Sequence, residues 1–126
     1  MDVLQNIVRR TDNGDDYFLQ TRVKMNGVQK NLMTIDEFRR TLRQSSAPSE
    51  LSAALRALWE DAKGNWNAAH SIAQDIDTQT GSWIHAYLHR KEGDLGNAGY
   101  WYRRAGKPAA QDTLDEEWER IVSALL

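Results

Sequence analysis

Apolar residues along this chain follow two different rhythms, and the change falls near residue 48. From Ser49 onward they recur at the three- and four-residue spacing of helices buried on one face. Leu51, Ala54, Leu55, Leu58, Trp59 and Ala62 predict a first helix, with Ser49 as its cap. Gly64-Asn65 ends it and opens a second, whose inner positions are Trp66, Ala69, Ile72, Ala73 and Ile76. Gly81-Ser82 opens a third carrying Trp83, Ile84, Tyr87 and Leu88. Gly93-Asp94 opens a fourth carrying Leu95, Ala98, Trp101, Tyr102 and Ala105, and Gly106-Lys107-Pro108 ends it. Thr113-Leu114-Asp115-Glu116 is a capping box that starts a last helix with Leu114, Trp118, Ile121, Val122 and Leu125 inward.

Before residue 48 the pattern is mixed. Val3, Leu4, Ile7 and Val8 share one side of a short helix over 3–10, which the polar run Thr11 to Asp16 breaks. Tyr17 to Lys24 favours a strand, Asn26-Gly27 is a strong hairpin signal, and Val28 to Met33 supplies the return strand. Thr34-Ile35-Asp36-Glu37 is a second capping box, and the helix it starts runs to Gln44 with Ile35, Phe38 and Leu42 inward. The expected domains are therefore a small α+β element over 1–48 (hairpin 17–33, helix 34–44) and a helical domain over 49–126. Ser45-Ser46-Ala47-Pro48 is the linker between them.

The helical part repeats itself. Gly64-Asn65-Trp66-Asn67-Ala68-Ala69 returns as Gly93-Asp94-Leu95-Gly96-Asn97-Ala98, 29 residues later. Leu55 pairs with Ile84, Leu58 with Tyr87, Trp59 with Leu88 and Ile72 with Trp101 in the same register. Similarity at a fixed period signals stacked supersecondary units, here helical hairpins that need a terminal helix to cover the last apolar face. The stretch Tyr87-x5-Gly93-Asp94-Leu95-x2-Ala98-x3-Tyr102-Arg103-Arg104-Ala105 resembles the tetratricopeptide-type repeat. Over residues 51–108 that resemblance implies two helical hairpins and a protein-binding role. His85 to Ala105 is also similar to part of certain short bacterial proteins, which adds no chemistry. The fold class expected is mainly α: two hairpins and a C-terminal capping helix behind a small α+β element.

Composition narrows the function classes. The chain has no cysteine, which removes disulfides, thiolate metal sites and cysteine nucleophiles. No apolar run is long enough to span a bilayer, and the first residues do not read as a secretory signal, so a cytoplasmic location is expected. Eight Lys/Arg against six Asp/Glu leave residues 1–48 at +2, whereas eight against twelve leave 49–126 at −4. Neither half demands a nucleic acid or a membrane. No phosphate-binding glycine loop and no nucleophile elbow is present, so an enzyme is not expected.

Three residue groups remain as candidates. His85 and His89 stand four apart, and Glu92 follows three further on, so they share one helical face. Such a trio could hold a metal, with His70 as a further ligand from the preceding helix. The repeat argues against it. The counterparts of the three in the first copy are Arg56, Glu60 and Lys63, and on a wheel the trio lies outside the arc of about 140° holding the third helix's apolar residues. That face is therefore expected to be solvent or partner surface, with no metal and no cofactor. Tyr100, Arg103 and Arg104 replace Ser71, Gln74 and Asp75 of the first copy, and exposed Tyr and Arg suit a docking surface. The third group is in the N-terminal part. The run Tyr17 through Thr34-x2-Glu37-Phe38 is similar to the sheet-plus-helix modules that begin many phage integrases. That similarity implies DNA contacts from Arg22, Lys24 and Lys30, with Arg39, Arg40 and Arg43 on the backbone.

The function expected from the sequence is a non-catalytic interaction or adaptor module that binds a protein or peptide through His85, His89, Tyr100, Arg103 and Arg104. The alternatives are nucleic-acid binding through the hairpin and helix, and a metal-dependent enzyme built on His85, His89 and Glu92. An exposed hairpin edge would allow a homodimer by strand pairing.

Overall fold

The computed structural model describes residues 24–25, 28–29 and 33–126. The chain divides into two units, Met1–Met33 and Thr34–Leu126. In the first, strand β1 (Lys24–Met25) pairs antiparallel with β2 (Val28–Gln29), Lys24 opposite Gln29 and Met25 opposite Val28. The rest of the hairpin expected over 17–33, and the helix expected over 3–10, lie outside the described residues. The second unit is helical: α1 (Ile35–Thr41), α2 (Ala53–Ala62), α3 (Trp66–Gln74), α4 (Gln79–Lys91), α5 (Leu95–Ala105) and α6 (Leu114–Leu125). Among the described residues no helix is long and apolar enough to cross a membrane.

The repeated phrase is a repeated turn. Helices α2 and α4 each end on a right-handed cap, Lys63 and Glu92, followed by a glycine with positive φ: Gly64 at 88° and Gly93 at 91°. At each, the glycine N–H donates three residues back (to the carbonyls of Asp61 and Arg90). The next residue's N–H donates five back, to Glu60 and His89. This is the Schellman closure, and it needs a residue that reaches the left-handed region without a Cβ clash. The second copy completes the pattern with a side-chain cap, Asp94 accepting from the Asn97 N–H at 3.2 Å. In the first copy Asn65 does not cap; its amide instead donates to Glu60 Oε1 at 2.8 Å.

Several other local expectations shift. Both capping boxes form, Thr34 with Glu37 and Thr113 with Glu116. Helix α2, however, starts three residues later than the Ser49 signal, capped by Ser52. Helix α4 starts earlier than Gly81-Ser82: Thr78 caps it, accepting from the Gly81 N–H. Gly81 is inside the first turn because the α3–α4 connection lies against it. A Cβ there would collide with the Ile76 carbonyl oxygen. Leu95, expected inward, is 68% exposed at the start of α5.

Helix α4 is the element the others surround. It packs against α2, α3, α5 and α6. Ile84, Ala86, Tyr87 and Leu88 are all buried, and so are His85 and His89 on its other side. Helix α6 closes the unit by polar anchors as well as apolar ones. Trp118 donates to the Leu58 carbonyl at 3.0 Å. Glu117, fully buried, accepts from Arg90 Nη1 at 2.7 Å and from the Tyr102 hydroxyl at 2.6 Å. Helix α1 joins the same unit through Phe38 against Trp118, with ring centroids 5.9 Å apart, and through Thr41, which accepts from Trp59 Nε1 at 3.1 Å.

Two glycine substitutions give opposite outcomes in urea melts. Gly81→Ala lowers stability by roughly 1–3 kcal/mol because the new methyl meets fixed backbone, even though alanine is the better helix former. Gly96→Ala, with nothing within 4 Å of its Cβ position, raises stability by about 0.5 kcal/mol.

Candidate metal centre

The chain has three histidines, and the fold puts all three side by side. His70 comes from the middle of α3; His85 and His89 lie one turn apart on α4. One ring nitrogen from each lies within 4.8 Å of the other two. His85 Nε2 and His70 Nε2 are 2.9 Å apart, so one donates and the other accepts. His89 Nδ1 sits 2.7 Å from Glu92 Oε2. Its Nε2 has Asn97 Nδ2 at 3.4 Å.

Indole rings wall the group. His70 stacks on Trp66 at 4.8 Å with planes 13° apart, and His85 stacks on Trp101 at 3.9 Å and 16°. Trp66 is itself fixed by donating to the Leu88 carbonyl at 2.9 Å, and Arg104 covers Trp101 at 5.3 Å. His85 is 5% and His89 7% exposed, while His70 is half-buried. Burial, then the neighbouring His70 and His89, push the His85 imidazole down to about 4. His70 is lowered in the same direction, first by burial and then by His89. Both rings are therefore neutral near pH 7 and keep a lone pair.

This overturns the expectation that the face of His85 and His89 is solvent or partner surface. The alignment with Arg56 and Glu60 was misleading for a physical reason. Helix α4 has α3 on one side and α5 on the other, and these bring His70, Trp66 and Trp101 over the face that leaves Arg56 exposed on α2. Glu92 keeps its exposed position at the end of α4 but is bound to His89. Trp101, expected in the core, is half-buried and serves as a lid over His85.

The other candidates separate. Tyr100, Arg103 and Arg104 are exposed on α5, with Arg104 Nη1 donating to the Tyr100 hydroxyl at 3.2 Å. Arg40 and Arg43 are exposed at α1, whereas Arg39 is paired with Glu119 at 2.8 Å and lies over Trp118. Arg22 and Lys30 lie outside the described residues, and Lys24 falls in β1. Two buried carboxylates carry weight the sequence reading missed. Asp61 accepts from Tyr87 at 3.1 Å and Lys91 at 2.9 Å, and Glu117 accepts from Arg90 and Tyr102. Burial first, and then these carboxylates, raise both phenols well above their ordinary range. No sequence spacing marks the two acids, because their partners lie 15 to 30 residues away.

No family model matches the chain, and neither a curated protein nor a solved structure matches it.

The lowered pKa of His85 fixes the direction of a pH effect. Between about 6.5 and about 4 the unfolded chain binds a proton at this ring that the folded chain does not, so stability is lost as pH falls through that window. In the presence of a chelator, the loss assigned to His85 over the whole window is on the order of 2–3 kcal/mol. His85→Phe, which keeps a flat ring against Trp101, has a shallower slope between about pH 6.5 and pH 5, above most carboxylate titrations. Urea unfolding at several pH values measures both slopes.

Proposed function

We propose that this chain is a metal-binding helical-hairpin protein that holds one divalent transition ion, of the zinc class, between its two hairpins. The observation that carries the reading is the convergence of His70, His85 and His89, the chain's whole complement of histidine, in a partly buried cluster. Imidazole is a borderline ligand suited to zinc, and three such ligands make a recurrent zinc set. With Zn–N bonds of about 2.0–2.1 Å at tetrahedral angles, ligand nitrogens stand about 3.3 Å apart. The 2.9 Å between His85 and His70, and the 4.8 Å limit on the trio, bracket that spacing. Ring rotations would be needed to bring the three nitrogens to that spacing. In the metal-free protein one proton lies between the facing Nε2 atoms, and the ion would take its place.

An ion held here would join α3 of the first hairpin to α4 of the second. The role supported best is a non-catalytic clamp on the repeat array, with the indoles restricting access to two of the three ligands.

Metal analysis of protein purified without chelator should find close to one equivalent of ion, and none in His70→Ala or His85→Ala. Zinc at a hundredfold excess over Kd should stabilise the wild type by about 2.7 kcal/mol and leave both variants unmoved. A wild type that neither carries metal nor shifts its melt with zinc would end this reading.

A second reading, docking of a protein or peptide on α5, is favoured by one observation. Tyr100 is 45% exposed and is held outward by the Arg104 hydrogen bond. Tyr and Arg are the side chains that most often dominate interfaces. Tyr100→Ala combined with Arg104→Ala should abolish recovery of a bound partner from native extract without changing the melting temperature by more than a few degrees; full recovery of every partner would sink this surface.

A further inference from the structure

Glu92 stands at a position where the local electrostatics favour the opposite charge. It caps the C-terminus of α4, where carbonyl groups concentrate partial negative charge and a cation is preferred. The first copy of the repeat obeys that preference: the equivalent cap, at the end of α2, is Lys63. Lys63 there donates to the Leu42 and Gln44 carbonyls at 2.7 and 2.8 Å. The two caps share the same turn, the same left-handed glycine and the same pair of closing hydrogen bonds, so the turn itself does not require an acid. What differs is the neighbour one turn back: Glu60 in the first copy, His89 in the second.

The contact that Glu92 makes there has a definite chemical consequence. An ionised carboxylate can only accept, so His89 Nδ1, 2.7 Å from Oε2, must carry the proton. A neutral ring protonated at Nδ1 has its lone pair at Nε2. Asn97 Nδ2, 3.4 Å from that atom, donates to the same lone pair in the metal-free protein, a long contact that a bound ion would displace. The turn also grips His89 by its backbone, since its carbonyl accepts the Asp94 N–H at 2.9 Å. Side chain and main chain of His89 are thus both held by the segment Glu92 to Asp94.

We propose that Glu92 is a positioning residue of the metal centre: its carboxylate fixes the His89 tautomer so that Nε2 is the nitrogen presented to the ion. The inference rests on the metal-binding reading above and adds the residue that orients one of the three ligands. It also accounts for the break in the repeat, because a lysine at this position would repel the ion and leave the His89 ring free to choose either tautomer. Carboxylates that receive the distal N–H of a ligating histidine typically set affinity by 10–100-fold.

The test uses the full chain and zinc, with Glu92→Gln as the variant. Nitrogen-15 spectra of the imidazoles in metal-free protein should give the Nδ1–H form for His89 in the wild type and a mixture of tautomers in Glu92→Gln. Zinc affinity, measured by competition with a chromophoric chelator, should fall roughly 10–100-fold in the variant. The melting temperature of the metal-free variant should stay equal or rise, since removing an acid from a helix C-terminus relieves an unfavourable charge. That last readout separates positioning from a structural role, which would lower the melt. A wild-type His89 protonated at Nε2, or an unchanged zinc affinity in Glu92→Gln, would overturn the role of Glu92 while leaving the three-histidine site standing. A wild type that binds no zinc would overturn both.

Discussion

Everything in the helical unit is arranged around α4, a helix with no face left for solvent along most of its length. A helix buried all round must either be apolar all round or bring its own polar partners. Helix α4 takes the second course on both of its polar flanks. Tyr87, Arg90 and Lys91 meet the buried carboxylates Asp61 and Glu117, and His85 and His89 meet His70. The order of the surrounding helices follows. Helix α2 supplies Asp61, α6 supplies Glu117, and α3 supplies His70, so these three neighbours are each held by a specific polar contact in addition to apolar packing.

These flanks differ in how completely they are closed. Each buried carboxylate has a phenol and a cation on it, and Glu117 is fully enclosed by its partners. Such groups hold the helices together: removing one partner leaves an unpaired buried charge, which is costly. The histidine flank is different in kind. His85 and His70 are kept neutral by burial and by the neighbouring imidazoles, and neutral imidazoles crowded nitrogen to nitrogen have lone pairs that only a proton or a metal ion can bring together.

Much of this architecture could be read along the chain. The 29-residue repeat located the two hairpins, since Gly64 and Gly93 fix the chain reversal by their own conformation and need nothing from the rest of the fold. The capping boxes at Thr34 and Thr113 are equally local, and both form. The start of α4 is set by tertiary contact and not by the Gly81-Ser82 signal, since Gly81 is small because Ile76 lies on it. The fate of His85 and His89 was not legible from the repeat, because two copies of one motif share their turns and apolar faces but not their neighbours. Helix α2 and helix α4 have equivalent sequences and different surroundings. One local signal was present: His70 is four residues after Trp66, and His85 four before His89, spacings that stack side chains on one face of a helix.

A repeat array that departs from its own pattern does so against a built-in control. Where the copies agree, at the turns and the inward alanines Ala69 and Ala98, the residue is explained by the hairpin alone. Where they disagree, the fold has already shown what suffices: Arg56, Glu60 and Lys63 satisfy one copy, so His85, His89 and Glu92 are not demanded by helix, turn or cap in the other. The three substitutions lie on one face, two of them end in buried rings, and the third binds one of those rings against the preference of the helix dipole. The copies also differ in what covers them, since His85 lies under Trp101 and against His70 whereas Arg56 is exposed. An ion bound as proposed would repay the burial of the lone pairs and make the three changes a single change.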